Sequence, residues 1–426
     1  MFKRLIPISM KITIPTLHNG QAIIATHTAR FKVITCGRRW GKSEYLLTEA
    51  ENAIINGLKV GYFVPQYKLL SEFYERILED LNCIKQSSSK IDGVFRATTG
   101  GRIDFWSLEN PVCGRSRKYH IALLDEVAFA KDSTMTAIWE RAIKPTLLDY
   151  GGRCMAASTP NGINEENFFY LINHEKRFGF TRFHAPTHTN PYLPKEELEK
   201  LERENPPLVF KQEYLAEFVD WGSAAFFSLD WLLANGQGVP YPERCDTVFA
   251  IVDSAIKSGI EHDGTAVIYC ARSVYYGIPL VILDYDLIQI DGALLETWLP
   301  TVFERLEQLG KQCGARMNHG VHIEDKASGQ ILLQQANRRG WNVHAIDSKL
   351  TAQGKDERAI AISSKVYQGM VKLSLSVYDK VTEYKGLTRN QLLSQILTFK
   401  PSDNNRNRAD DLLDCFTYAV AIGLLE

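Results

Sequence analysis

From residue 30 to 160 the chain alternates between short unbroken apolar runs and longer stretches with helical spacing of apolar positions. Phe31-Lys32-Val33-Ile34-Thr35 reads as a buried strand, residues 43–56 as a helix and Lys59–Val64 as a second strand. Ile121-Ala122-Leu123-Leu124 is a short apolar run ending in acids, and Arg153–Ala157 a further strand. Such alternation predicts a parallel sheet covered by helices on both faces. The pattern changes at 185–245, where Pro186, Pro191, Pro194, Pro206, Pro207, Pro240 and Pro242 surround one charged helix at 195–204. That stretch reads equally as a connector or small subdomain and as a surface excursion of the first domain. Alternation resumes at 246–426. Strands are predicted at Thr247–Asp253, Thr265–Cys270, Leu280–Tyr285, Val321–Glu324 and Trp341–Ala345, and helices at 293–309, 328–339, 355–369 and 409–425. The expected fold class is α/β, with domains at 1–184, 185–245 and 246–426.

Composition narrows this little. Charged residues are 23% and hydrophobic residues 45%, as in ordinary folded chains. Basic and acidic residues number 49 and 50, so any surface for nucleic acid is a local patch. The eight cysteines are scattered, with no C-x-x-C pair, which argues against structural zinc and a disulfide framework and favours a reducing cytoplasm. The apolar run after Lys3 and Arg4 breaks at Lys11, too early for a signal peptide. No apolar run approaches the length of a membrane span. Internal repeats and low-complexity tracts are absent from the sequence.

Two constellations carry chemistry. The first is Cys36-Gly37-Arg38-Arg39-Trp40-Gly41-Lys42-Ser43, a glycine-containing turn between a predicted strand and a predicted helix. Backbone N–H groups at such a helix start cradle phosphate oxygens, with Lys42 reaching the outer phosphates and the Ser43 hydroxyl holding magnesium. The pattern departs from G-x-x-x-x-G-K-S at its first position, Cys36, with the glycine one place later at Gly37. Leu123-Leu124-Asp125-Glu126 supplies the second half. Asp125 at a strand end would orient the magnesium, and Glu126 would polarise an attacking water as general base. Arg38 and Arg39 are candidates for an arginine finger in cis, or for general phosphate attraction. Ser158 and Thr159, before Pro160, could sense the outer phosphate, or cap a turn. Gln21 lies upstream of the first strand, where a glutamine amide can read adenine.

The second constellation is Asp253, Glu324, Asp410 and Asp411. Two-metal phosphodiester hydrolysis needs three or four carboxylates around cations roughly 3.5–4 Å apart, and Mg²⁺ or Mn²⁺ takes oxygen ligands. Asp253 and Glu324 end predicted strands. Asp410, Asp411 and Asp414 open the last helix, whose N-terminus suits carboxylates. Strand alternation puts Glu324 and Asp325 on opposite faces, leaving Glu324 as the candidate. Asp284 and Asp286 are reserves. Solvation and helix capping are the competing roles for each acid taken singly. Lys355, Arg358, Lys365, Lys400, Arg406 and Arg408 are candidate phosphate contacts. Three consecutive strands followed by helix, strand, helix, strand is the order of ribonuclease-H-like nucleases, an order that many mixed sheets share.

These segments, with Gln212-Glu213-Tyr214-Leu215-Ala216-Glu217-Phe218 and Ile323-Glu324-Asp325-Lys326-Ala327-Ser328-Gly329, resemble the large terminase subunit of tailed bacteriophages, in that family's order from about residue 17 to 425. The resemblance implies an N-terminal P-loop ATPase domain with a parallel sheet and a C-terminal ribonuclease-H-like mixed α/β nuclease domain. It implies ATP-driven packaging of double-stranded DNA into a prohead and Mg²⁺-dependent cutting of concatemers, with Mn²⁺ an alternative ion. Implied partners are a portal protein, a small terminase subunit and further copies of the chain in a ring on the prohead. The implied place is the host cytoplasm, with no membrane. The resemblance also assigns the loop arginine, the acidic pair and the Ser-Thr-Pro segment the roles given above, and makes Gln21 the adenine contact. Two departures stand out: Cys36 where the family often has glycine, and Ala409 where many members have histidine, which leaves Asp410 and Asp411 both candidates. A repair helicase-nuclease would need further helicase motifs after residue 160. An assembly ATPase with a second domain that binds without cutting is separated from the nuclease by a cleavage assay.

Overall fold

The computed structural model describes residues 12, 14–221, 226–253, 264–290, 295–325, 328–401 and 410–425. It divides into two compact units, Met1–Lys200 with Pro207–Asp220 and Leu201–Pro206 with Trp221–Glu426. The proline-rich 185–245 stretch supplies residues to both.

In the first unit eight strands form one sheet: β1 (Phe31–Cys36), β2 (Lys59–Val64), β3 (Lys85–Ser89), β4 (Val94–Ala97), β5 (Arg102–Ser107), β6 (Ile121–Asp125), β7 (Arg153–Ser158) and β8 (Phe180–Ala185). Their order is β3-β4-β5-β2-β6-β7-β1-β8. The run from β5 to β8 is parallel, and β3 and β4 add an antiparallel edge. Successive residues of the central strands enter two separate cores. Ile34, Leu123 and Ala157 face one, with Tyr45, Leu46 and Ala50 of the helix Lys42–Ile55. Val33, Leu124 and Ala156 face the other, with Trp139 and Phe168. Burial on both sides is why these strands read as unbroken apolar runs. The C-terminal ends of β6, β7 and β1 lie side by side. They deliver Asp125, Ser158 and the loop after Cys36 to the sheet edge where open α/β folds bind ligands.

In the second unit the strands are β9 (Cys245–Asp253), β10 (Thr265–Arg272), β11 (Leu280–Ile288), β12 (Ala315–Ile323), β13 (Val343–Ala345) and β14 (Val371–Leu373), in the order β13-β12-β9-β10-β11-β14. β9, β10 and β11 are antiparallel; β12 runs parallel to β9, β13 to β12 and β14 to β11. Apart from β14 this is the ribonuclease-H-like order expected from the sequence. One face, with Ala250, Val252, Val267 and Tyr269, packs on Leu299, Val302 and Leu306 of the helix Leu295–Gln312. The other, carrying Phe249, Ile251 and Asp253, receives the buried helix Asp411–Leu424. Among the described residues no helix is long and apolar enough to cross a membrane.

Candidate active sites

The loop after β1 is clamped from outside through its carbonyl oxygens. Thr187 Oγ1 donates to Arg38 O (2.7 Å), Asn190 Nδ2 to Arg39 O (2.8 Å) and Gln21 Nε2 to Gly41 O (2.8 Å). His18 Nε2 lies 3.1 Å from Trp40 O. The loop N–H groups of Gly37, Arg38 and Trp40 are taken by protein carbonyls, which leaves phosphate binding to the N–H groups at the start of the helix Lys42–Ile55. Gly41 has φ +99°, and a Cβ at Gly37 would collide with Thr187 and the Tyr214 carbonyl, so both positions demand glycine. Trp40 is buried, its indole N–H donating to Thr189 Oγ1 (2.9 Å) and its ring edge-on to His18. Ser43 is exposed in the first turn of the helix.

Lys42 bridges the acidic pair, 3.1 Å from Asp125 Oδ1 and ion-paired with Glu126. Burial opposes its charge, but the two carboxylates outweigh this and raise its pKa. Asp125 accepts from Tyr62 O–H (2.9 Å) and from the Glu126 N–H (3.0 Å), and burial pushes its carboxyl above the usual range. Glu126 is the opposite case: burial acts upward, but the Lys42 ammonium holds its carboxyl below the usual range. Its backbone sits in the left-handed region at φ 52°, an uncommon conformation for a glutamate that aims the side chain off the strand end. The Ser158 hydroxyl lies 3.2 Å from Glu126 Oε2 and 3.0 Å from Thr159 O and accepts from the Ala128 N–H, so Ser158 is tied to the acid directly. Thr159 is buried beside it.

The two loop arginines differ. Arg38 is ion-paired with the buried Glu213, and the Arg38 N–H donates to Glu213 O (2.7 Å). Glu213 Oε1 accepts from Gln212 Nε2 (3.0 Å), and Gln212 Oε1 accepts from the Gly162 N–H (2.9 Å). Arg38 is thereby connected to the segment that follows Ser158. Arg39, exposed like Arg38, has φ 62°. The amide of Gln21 also accepts from the His18 N–H (3.0 Å), so both its ends hold the loop and the helix before it. His18, Thr187, Asn190, Gln212 and Glu213 have no composition signal as site residues. Only the quoted Gln212–Phe218 segment marks two of them.

In the second unit the acids converge at one end of the sheet. Asp253 pairs with Ala266 in the antiparallel register, and Ile323 pairs with Val252, which brings Glu324, just past the strand end, beside Asp253. Asp284 and Asp286 pair with Tyr269 and Val267, on the face opposite Asp253. Both reserves are engaged there: Asp284 by Arg305 (2.6 Å) and Lys380 (2.8 Å), Asp286 by Lys380 (3.0 Å). Burial, followed by the charges of Asp414, Glu324 and Asp411, drives the Asp253 carboxyl well above its usual range, while Arg358 acts the other way. Asp414, which the sequence marks only by its place in the helix, is therefore part of the cluster. Asp411 is buried and accepts from the Gly264 N–H (3.2 Å). Glu324 Oε1 accepts from Tyr418 O–H (3.1 Å).

Helix capping does not account for the acids that open the last helix. Gln395 Oε1 takes the N–H groups of Leu412 (2.8 Å) and Leu413 (3.1 Å), and Asp410 makes no side-chain cap. Two predicted phosphate contacts face inward instead. Lys355 pairs with Asp410 and with Asp414 (3.4 Å), and Arg358 is buried and pairs with Asp414. Arg406, Arg408, Lys326, Ala327 and Ala409 lie outside the described residues. Carboxylate oxygens are the donor type that Mg²⁺ or Mn²⁺ takes. Among the described residues no three such donors are grouped so as to hold a metal ion.

Residues 33–234 match the family model described as terminase large subunit, T4likevirus-type, N-terminal. Terminase large subunits of Thermus phage G20c and Thermus virus P23-45 are each 26% identical over 267 residues, covering 53% of this chain and 53% of theirs. The chain thus spans about half the length of the curated relatives it matches. The large terminase of a thermophilic bacteriophage shares the fold, with TM-score 0.64 at 13% identity over 96% of this chain and 100% of that one. A second structure of that protein, in complex with ATP-gamma-S, gives 0.63 over 95% and 98%. By the match of residues 33–234 and the fold shared along nearly its whole length, the chain is similar to terminase large subunits.

Proposed function

We propose that this chain is a viral DNA-packaging motor that also cuts. It hydrolyses ATP to drive double-stranded DNA into a prohead and cleaves concatemeric DNA at a metal-dependent phosphodiesterase centre. The observation that carries the reading is the crowding of Asp253 by Asp414, Glu324 and Asp411 at one strand end, with capping left to Gln395. On the ATPase side, Lys42 exchanges the Asp125–Glu126 pair for the outer phosphates of ATP. Its departure removes the charge that holds Glu126 down, so binding itself raises the basicity of the glutamate that takes the proton from the attacking water. Ser158 orients that carboxylate. Arg38, connected through Glu213 and Gln212 to Gly162, and Arg39, both exposed, are the loop arginines that would answer phosphate charge. Ser43 and Asp125 would hold Mg²⁺, which supplies positive charge on the phosphate oxygens. Thr159 accompanies Ser158 in passing movement on, and Gln21 supports the loop beside the adenine position.

On the nuclease side Asp253, Glu324 and Asp411, with Asp410 and Asp414, would hold Mg²⁺ or Mn²⁺, which activates water and stabilises the leaving oxygen. Tyr418 and the Gly264 N–H orient Glu324 and Asp411. The partners that follow are double-stranded DNA, a portal protein, a small terminase subunit and further copies of this chain in a ring on the prohead, in the host cytoplasm.

Supercoiled-plasmid cleavage by the purified chain with Mg²⁺ or Mn²⁺ tests this. Cutting is expected to disappear in Asp253→Ala and persist in Lys42→Ala, while ATP hydrolysis shows the reverse. Absence of metal-dependent cutting alongside intact hydrolysis would favour a motor whose second unit only binds.

A further inference from the structure

In the first unit the chain itself fixes which way a nucleotide lies. Lys42 faces Asp125 and Glu126 at the end of β6, so the outer phosphates belong on that side of the loop. In the strand order β6-β7-β1-β8, a nucleotide laid along the loop carries its base the other way, over β1 and towards β8. Two segments stand there. One is the helix Asn19–Thr26, whose N-cap His18 and first-turn Gln21 lie against Gly41. The other is the segment that follows β8, residues 186–193. The Gln21 amide is enclosed: Nε2 donates to Gly41 O (2.8 Å), Oε1 accepts from the His18 N–H (3.0 Å), and the residue is only 4% exposed. An amide held in this way supports the loop and turns no edge to a base.

The segment after β8 presents a ring instead. It is fastened to the loop by Thr187 Oγ1 on Arg38 O, by Thr189 Oγ1 on the Trp40 indole N–H and by Asn190 Nδ2 on Arg39 O. Asn190 Oδ1 also accepts from the Tyr192 N–H (2.9 Å), so one side chain holds both the loop and the backbone that carries Tyr192. The Tyr192 ring stands edge-on to His18, 6.4 Å between centroids, and His18 stands edge-on to Trp40 at 5.0 Å. Yet Tyr192 is 71% exposed. So open a ring gains little from packing, although its backbone is held in place. Two other exposed aromatic side chains at this end of the sheet lie away from the base. Phe129 follows Glu126 on the β6 side, and Tyr67, after β2, donates its hydroxyl to Lys90 O (3.2 Å).

We propose that the open face of Tyr192 is the platform on which the nucleotide base stacks, that Gln21 buttresses the loop without reading a base edge, and that the first unit therefore takes purine nucleoside triphosphates with little regard to the base. This rests on the ATPase reading. Stacking on a ring already held in place costs little ordering entropy, and every base has a π face to offer. A site rejects the wrong substrate strongly when its buried polar groups would be left unpaired. The Gln21 amide is paired within the protein, so it imposes no such penalty on either purine.

The test is steady-state hydrolysis of ATP and of GTP by the full chain. The parent should use the two with kcat/KM values within about tenfold of each other. Tyr192→Ala should raise KM for both by about 5- to 100-fold and leave kcat near the parent value, as loss of a contact made equally in ground and transition states does. Tyr192→Phe, which keeps the ring, should retain the parent KM. Inorganic tripolyphosphate, which carries no base, should inhibit the parent and Tyr192→Ala with equal inhibition constants. An unchanged KM in Tyr192→Ala would overturn the platform, and so would a tripolyphosphate constant that weakens along with KM, because the loop itself would then be damaged. A preference for ATP beyond the tenfold range means that a base edge is read, and overturns the tolerance. In each of these cases, hydrolysis that Lys42→Ala abolishes leaves the ATPase reading standing. A parent that hydrolyses neither nucleotide removes both.

Discussion

Glu51 offers a measurable consequence of how the first unit is built. It lies on the helix that Lys42 opens, is fully buried, and neither carboxylate oxygen has a hydrogen-bond partner. Burial, with Asp80 adding to it and Arg76 only partly opposing, raises its pKa from 4.5 to about 8. A carboxyl raised on folding costs nothing below its unfolded pKa. It destabilises progressively as pH climbs from 4.5 towards 8, because the unfolded chain ionises and the folded one does not. At pH 7 the gap above 4.5 is 2.5 pH units, or about 3 kcal/mol at 1.36 kcal/mol per unit. Glu51→Gln keeps the shape and also buries an unpaired neutral group, so the desolvation terms nearly cancel and the ionisation work remains. The variant should therefore be more stable than the parent by about 2–3 kcal/mol at pH 7, and about equal to it at pH 4.5. Hydrogen exchange read on peptides from residues 42–55 in the full chain isolates this unit from the other. Parallel protection in parent and variant across pH 4.5–8 would refute the reasoning, since it would mean that Glu51 ionises normally in the fold.

Further outcomes follow from the same kind of contact. Glu126→Gln should lower the turnover of ATP hydrolysis by about 10²–10⁴, the usual worth of a general base. Ser158→Ala, which removes one hydrogen bond to Glu126, should lose about tenfold in kcat with little change in KM, read in a steady-state ATPase assay. His322 is buried against Phe249 and hydrogen-bonded to His319, and burial followed by His344 and His319 lowers its pKa to about 4. Its folded value lies below the unfolded 6.5, so stability is lost as pH falls from 6.5 towards 4. At pH 5 the loss is about 2 kcal/mol relative to neutral pH, and His322→Gln should abolish that part in the exchange of peptides from β12.

What the sequence discloses, and what it hides, follows from how each element is buried. β1, β2, β6 and β7 are parallel strands enclosed by two cores, so their runs are apolar throughout and each lies within a residue or so of the span expected from the pattern. β3 reads Lys-Gln-Ser-Ser-Ser and forms the exposed edge of that sheet, where pairing to β4 and not burial makes the strand; nothing in its periodicity announces it. β8 alternates intermediate and exposed positions beside β1 and is equally silent. β12 is expected from Val321 but begins at Ala315, because its first half pairs with β9 while its side chains stay exposed. The expected strand at Trp341 starts at Val343, after the half-buried indole.

The sites divide along the same line. Acids at the ends of apolar strands are legible because a charged residue stands out against a buried run; Asp125, Asp253 and Glu324 all belong to this class. The residues that position them are not. Glu213 reaches Arg38 across 175 residues of chain, and Gln395 takes the amides that Asp410 and Asp411 would otherwise have capped. Glutamine and glutamate on short helices carry no local signature for such tasks, because the task exists only once two distant segments meet. Gln395 matters most here. By satisfying the helix start it releases the following carboxylates from structural duty, and a carboxylate so released, packed beside others, has its electrostatic cost met by a cation. Lys355 and Arg358, expected at DNA phosphates, are instead turned onto those acids. That reversal has a physical logic, since carboxylates packed together at a buried helix start need cations from their own chain.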